Sequence, residues 1–151
     1  MKNARMEGPL ETAVRLLARR DYSEGELSNK LKKIGYSTEE IQIAIEQLCL
    51  KGFLDDARVK LHTIEKLLSE QRYGIIMLVG KLRSKRLYVS SEEIRQFLSF
   101  EDEWEVAKKL IEKHFGIWDA NNCSKIARFL YNRGFSQEVL SLASEKCLKH
   151  Q

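Results

Sequence analysis

Proline is almost absent from this chain: Pro9 stands alone, just after Gly8, where the first turn of a helix tolerates it. Strand-like alternation of apolar and polar residues is missing throughout, so the expected fold class is all-α. Cysteine is sparse, and Cys49, Cys123 and Cys147 form no C-x-x-C pair. They fall at apolar or semi-apolar positions of predicted helices, which suits reduced thiols better than zinc ligands or disulfides. The histidines His62, His114 and His150 are isolated from one another and from any nucleophile, and each reads as an ordinary helix residue. No Ser/His/Asp or Cys/His order, phosphate-cradling glycine loop or metal-ligand spacing is present. The expectation is therefore no enzyme, no catalytic residue, no metal and no cofactor. No run approaches the ~18 uncharged apolar residues of a membrane span. The start Met-Lys-Asn-Ala-Arg-Met-Glu also lacks the apolar centre of a signal peptide. A soluble, cytoplasmic protein that keeps off membranes is expected.

What is present is helical punctuation, repeated. Leu31-Lys32-Lys33-Ile34-Gly35-Tyr36-Ser37, continued by Glu39 and Ile41, reads like Leu130-Tyr131-Asn132-Arg133-Gly134-Phe135-Ser136, continued by Glu138 and Leu140. In each phrase an apolar helix face ends in a polar turn, a glycine, an aromatic and a serine that can start the next helix. Between them, Leu82 to Ser90 followed by Glu92-Glu93-Ile94 keeps the order of residue types with two residues more and no glycine. Three copies at a period of roughly 50 residues imply one supersecondary unit used three times. The expected domains are three-helix repeats at 1–55, 56–99 and 100–151, about nine helices forming an elongated, curved array.

The first helix should run from Pro9 to about Arg20, with Leu10, Val14, Leu17 and Ala18 at helical spacing. Ser23 with Glu26, Ser37 with Glu40 and Ser90 with Glu93 have the form of capping boxes. They open helices whose expected inner stripes are Leu27, Leu31 and Ile34; Ile41, Ile45 and Leu48; and Ile94, Phe97 and Leu98. Asp55-Asp56 should cap a fourth helix, with Leu61, Ile64 and Leu67 or Leu68 inward. The fifth, from Ile75 to about Arg86, starts apolar and ends basic, as if buried at one end and exposed at the other. Acidic Glu101-Asp102-Glu103 suits the start of the seventh, whose stripe is Trp104, Ala107, Leu110 or Ile111 and Phe115. The eighth runs from about Asp119 through Ile126, Phe129 and Leu130 to Gly134. The last spans Ser136 to about His150, with Leu140, Ala143 and Leu148 on one face.

The ordered set of phrases resembles the RecX family of bacterial recombination regulators. It consists of Leu17-Ala18-Arg19-Arg20 with Ser23 and Glu26-Leu27; Leu31 to Gly35 with its Glu-Glu-Ile continuation; Gly52-Phe53-Leu54-Asp55-Asp56-Ala57-Arg58; Tyr73-Gly74; and Ala127-Arg128-Phe129-Leu130 before Arg133-Gly134-Phe135-Ser136. Two places depart from the family pattern: Ile75-Ile76-Met77, where a proline and basic residues are usual, and Arg86-Leu87, where a glycine is usual. The resemblance implies tandem three-helix repeats and a monomeric, non-enzymatic modulator. Its partner would be the RecA recombinase filament on single-stranded DNA, with inhibition of recombinase, ATPase and co-protease activity.

Net charge is only +4, but it is unevenly spread. Residues 57–87 carry eight basic and two acidic residues, whereas 101–151 carry eight of each sign. The middle segment therefore suits an acidic partner, whether a nucleic-acid backbone or an acidic protein face. The candidate contacts for RecA or DNA are Arg72, Tyr73, Lys81, Arg83, Lys85 and Arg86, with Arg19, Arg20, Lys32 and Lys33 as a second set. Solvated faces are the bland reading of such residues. For the second set that reading is preferred; for 81–86 the two are level, because the crowded charges repel unless a partner relieves them. Weak direct binding of single-stranded DNA is a further expectation. The alternative function is an all-α nucleic-acid-binding protein of helix-turn-helix type. Such a protein should show Arg, Asn or Gln at the start of its reading helix, and the helix beginning at Ile75 is apolar there.

Overall fold

The computed structural model describes residues 7–149 of the 151. Among the described residues there are nine α-helices and no strand: α1 Pro9–Leu17, α2 Glu24–Ile34, α3 Thr38–Leu50, α4 Asp56–Glu70, α5 Ile75–Ser84, α6 Ser91–Arg95, α7 Phe100–Phe115, α8 Cys123–Asn132 and α9 Gln137–Lys149. A single 3₁₀ turn, Ala120–Asn122, precedes α8. His150, where the last helix was expected to end, lies outside the described residues.

Local chemistry sets the boundaries. All three capping boxes form: the side chains of Ser23, Ser37 and Ser90 accept from the amides of Glu26, Glu40 and Glu93, and each glutamate carboxylate accepts from its serine's amide. Each box satisfies two amides that a helix start leaves unpaired. Gly35 closes α2 in the left-handed region at φ 117°, and Gly134 follows α8 at φ 74°. The middle phrase, which has no glycine, makes the same turn with Arg86 at φ 60°. A side chain in that region costs ~1 kcal/mol. Asp55 caps α4 through the Arg58 amide at 3.3 Å. Asp56 does not cap its own helix; its Oδ1 accepts from the Glu24 amide at 2.8 Å and so serves the start of α2.

The described residues divide into two compact units, one comprising 7–62 with 84–87 and the other 63–83 with 88–149. In the first, α1, α2 and α3 enclose Ala13, Leu16, Leu27, Leu31, Ile41 and Leu48, joined by Tyr22 and Leu54. Leu27 and Leu31 are fully buried, each contributing ~2 kcal/mol by removal from water. In the second, α7, α8 and α9 enclose Trp104, Ala107, Ile111, Ile126, Leu130, Val139 and Ala143, with Phe135 from the turn between α8 and α9.

Several inner stripes differ from those expected. Thr12, Ala13 and Leu16 form the buried face of α1, and Val14 is exposed. Ile34, the last residue of α2, and Phe97, two residues beyond α6, are exposed. Val59 and Ile64 are buried on α4, and Leu61 is not. On α9, Val139, Ala143 and Cys147 form the inward stripe at i, i+4 and i+8, which puts Leu148 outside. Helix α5 is not buried at one end and exposed at the other. Ile75, Leu78 and Leu82 at i, i+3 and i+7 bury one stripe along its whole length, and Ile76 is exposed.

Glu103 has a role the sequence did not suggest. It lies on the first turns of α7, yet its side chain is fully buried. Its carboxylate accepts from the Ile75 amide at 3.1 Å, the Ser136 amide at 2.9 Å and the Ser136 hydroxyl at 2.8 Å, and forms an ion pair with Arg95 Nη1 at 2.9 Å. One charge thereby ties the starts of α5 and α9 to α7 within the second unit. Beside it, the Gly74 amide donates to the Arg133 carbonyl at 3.0 Å and the Ile76 amide to the Gly134 carbonyl at 2.8 Å. A Cβ on either glycine would collide with the opposing backbone, at Phe135 for Gly74 and at Met77 for Gly134.

Candidate functional site

The basic run 81–86 is continuous in sequence but is shared between the units: Lys81 and Arg83 belong to the second, Lys85 and Arg86 to the first. In the first unit, the Lys85 carbonyl accepts from the Ser23 hydroxyl. Arg86 lays its aliphatic stem against Gly25, whose added Cβ would lie 2.5 Å from the Arg86 Cβ. With the Asn29 amide turned so that its oxygen faces the guanidinium, that oxygen accepts from Arg86 Nη2 at 3.0 Å and Nε at 3.2 Å. Arg86 thus holds the turn on which it sits as well as presenting charge.

Of the second candidate set, Arg20 is committed locally: it pairs with Glu26 at 3.4 Å and its guanidinium lies 3.6 Å from the centre of the Tyr22 ring. Arg19, Lys32 and Lys33 are exposed. Lys32 and Lys33 lie in the last turn of α2, where positive charge complements the helix dipole. The structure does not bring Arg19 and Arg20 together with Lys32 and Lys33 through any described contact.

In the second unit, Arg72, Tyr73 and Lys81 do come together. The Lys81 ammonium stands 4.4 Å from the Tyr73 ring centre. Arg72 and Tyr73 line an open groove of about 640 Å³ with Lys109, Lys113, His114, Phe129 and Arg133. Glu70, Gln71 and Leu110 complete its wall. Lys109 and Lys113 are one turn apart on α7 and exposed, and Arg133 follows α8 with its guanidinium 4.5 Å from the Phe129 ring centre. His114 lies over the same ring at 4.7 Å, their planes 31° apart. None of Arg72, Lys109, Lys113 and Arg133 takes part in an ion pair among the described residues. Sequence reasoning found Arg72 and Tyr73 and missed the other three cations, because the balanced charge total of 101–151 concealed how they are grouped. The spacing of Lys109 and Lys113 at i, i+4 was the available signal.

The remaining titratable groups do not assemble a reactive centre. Among the described residues no group of three or more His, Cys, Asp or Glu is placed to hold a metal ion, and no helix is long and apolar enough to cross a membrane. Burial raises the Asp56 carboxyl above its usual range, reinforced by the charges of Glu24, Asp55 and Glu26 and opposed by the bond from the Glu24 amide. Burial pushes the Cys49 thiol up to about 11, helped by its bond to Glu24 at 3.0 Å. Burial and contact with the Cys123 thiol push Cys147 up to about 12. Thiols held protonated in this way are poor nucleophiles and poor metal ligands.

Comparison with known proteins adds three kinds of likeness. Family models match at residues 10–48, described as RecX, first three-helix domain, and at residues 101–141, described as RecX, third three-helix domain. Regulatory protein RecX of Pelodictyon phaeoclathratiforme is 33% identical over 137 residues, covering 89% of this chain and 86% of that protein. Regulatory protein RecX of Legionella pneumophila is 34% identical over 141 residues, covering 90% and 92%. In fold, the crystal structure of RecX from Lactobacillus salivarius matches with a TM-score of 0.75 at 16% identity, over 93% of this chain and 95% of that one.

Proposed function

The chain belongs to the RecX family of regulatory proteins, and on that premise we propose that it binds the RecA recombinase filament on single-stranded DNA and inhibits its recombinase, ATPase and co-protease activity. It does so as a cytoplasmic monomer of three three-helix repeats, 1–55, 56–99 and 100–151, without catalysing a reaction itself. The observation that carries this reading, beyond the family, is the surplus of basic side chains that no carboxylate neutralises. Arg19, Lys32, Lys33, Arg72 and Arg83 are all exposed and take part in no ion pair among the described residues. Such a field speeds encounter with an acidic partner and suppresses wrong ones.

The test is filament inhibition after charge reversal. Changing Lys81, Arg83, Lys85 and Arg86 to glutamate should leave far-UV circular dichroism unchanged and weaken inhibition of the RecA ATPase on single-stranded DNA. Because Arg86 also holds the turn against Gly25 and Asn29, a second variant reverses only Lys81, Arg83 and Lys85. Full inhibition by both variants removes the cluster from the mechanism. Tight, sequence-dependent binding of naked duplex by the wild type, with the filament ignored, would establish the helix-turn-helix alternative instead.

A further inference from the structure

We propose that the groove formed by Arg72, Lys109, Lys113 and Arg133 in the second unit is a binding site for single-stranded nucleic acid, gripping its phosphates directly. This inference goes beyond the filament reading and does not rest on it.

The argument is one of charge and lining. Four cations from three separate segments converge on one cavity of about 640 Å³, and the only carboxylate in its wall is Glu70. None of the four is engaged in an ion pair among the described residues. Each therefore adds to the repulsion inside the groove until an anion enters, and a polyanion relieves several at once while releasing its own counterions. The lining distinguishes a nucleic acid from an acidic protein. Protein interfaces are built on buried aromatic or apolar anchors and are depleted in lysine. Here Leu110 is the one aliphatic side chain in the wall, the Phe129 ring is already covered by His114 and Arg133, and the cations, which outnumber the apolar groups, include two lysines a single helical turn apart. Interfaces with nucleic acids are more polar and far more positively charged. A single strand suits the groove better than a duplex, because exposed His114, backed by Phe129 at 4.7 Å, offers a ring surface on which an unpaired base can stack.

The experiment is anisotropy of a labelled oligothymidylate titrated with the full chain between about 50 and 200 mM salt, with the slope of log affinity against log salt as readout. Lys109→Glu with Lys113→Glu should lower affinity at least about tenfold and make the slope shallower by about 1.4, since each single-strand phosphate contact contributes about 0.7. Lys109→Gln with Lys113→Gln should give a smaller loss in the same direction, and it guards against misfolding in the reversed variant, which far-UV circular dichroism also checks. Lys30→Glu with Lys51→Glu, exposed residues of the other unit with no part in the groove, should leave affinity and slope as in the wild type. Wild-type slope and affinity in both groove variants overturn the proposal, as does an equal loss in the Lys30 and Lys51 control. Displacement of the oligonucleotide by polyglutamate at matched charge concentration overturns it in favour of an acidic polypeptide. RecA ATPase measured on the same samples separates the two readings: oligonucleotide binding lost in the groove variants beside a wild type that leaves the filament unaffected sinks the filament reading and keeps this one.

Discussion

Replacing Glu103 by glutamine would remove a negative charge from a place that water does not reach. The carboxylate is fully buried, accepts three hydrogen bonds, from the Ile75 amide and the Ser136 amide and hydroxyl, and forms an ion pair with Arg95. Glutamine keeps the shape but turns an NH₂ group toward donors and leaves the Arg95 guanidinium without its counter-charge. Breaking a buried pair by removing one partner costs ~3–5 kcal/mol. Arg95 keeps 29% of its side chain exposed, so water compensates part of its loss and the lower end, ~3 kcal/mol, is expected. Spread over a chain of this length, that lowers the melting temperature by about 6–12 °C. Glu103→Ala, which also orphans three donors and leaves a void, should reach ~5 kcal/mol. The assay is convenient because both tryptophans, Trp104 and Trp118, lie in the second unit with ring centres 5.6 Å apart, so their fluorescence reports the unit that Glu103 holds. Arg95→Ala in the Glu103→Gln background should then cost almost nothing more, the non-additivity expected of contacting partners. A loss below ~1 kcal/mol in both Glu103 variants would refute the reasoning, since it would mean that the three bonds and the ion pair contribute no more than a solvated pair.

Gly25→Ala should destabilise the first unit by ~1–3 kcal/mol through overpacking against the Arg86 Cβ. Arg86→Gly in the same chain should restore most of it, as read by urea unfolding, because it removes the colliding atom and eases the turn at φ 60°. Gly134→Ala should cost more than ~3 kcal/mol, since φ 74° disfavours any side chain and the added Cβ meets the Met77 backbone; a melting point within two degrees or so of wild type would count against the close approach of α5 to the turn after α8. Fully buried Cys147 should react with a disulfide reagent at pH 8 only after unfolding, and half-buried Cys49 more slowly than a free thiol, as followed by thiol release. Both thiols have their folded values raised from 9.0, to about 11 and about 12. Their contribution to stability is therefore full below pH 9 and is lost as pH rises from there through 11 to 12. Stability that stays flat across that window would contradict the raised values of the two thiols.

Much of this fold was legible in the chain because its boundaries are made by local chemistry. Ser23, Ser37 and Ser90 each meet a glutamate three residues on, and such pairs need nothing distant to form. Gly35 and Gly134 likewise announce left-handed turns. What stayed hidden depends on partners far away in sequence. Glu103 read as one of three acids near a helix start, and only the approach of Ile75, Arg95 and Ser136 turns it into a buried junction. Leu61, Val14 and Leu148 fit an apolar period, but which of two adjacent stripes faces inward is decided by the helices packed against them. The groove was half legible: Arg72 and Tyr73 lie in the basic stretch, whereas Lys109, Lys113 and Arg133 come from a stretch of balanced charge and join them only through the fold. Arg86 is the instructive departure, because the missing glycine marked a divergent site and the structure shows the same turn made with a side chain braced on Gly25 and Asn29.

The most direct measurement is the ATPase rate of RecA assembled on single-stranded DNA, titrated with this protein at near-physiological salt. The account predicts a rate that falls progressively as the protein is added, at concentrations where binding to the bare strand has already been weakened by the salt. An ATPase rate unchanged at saturating protein would contradict it.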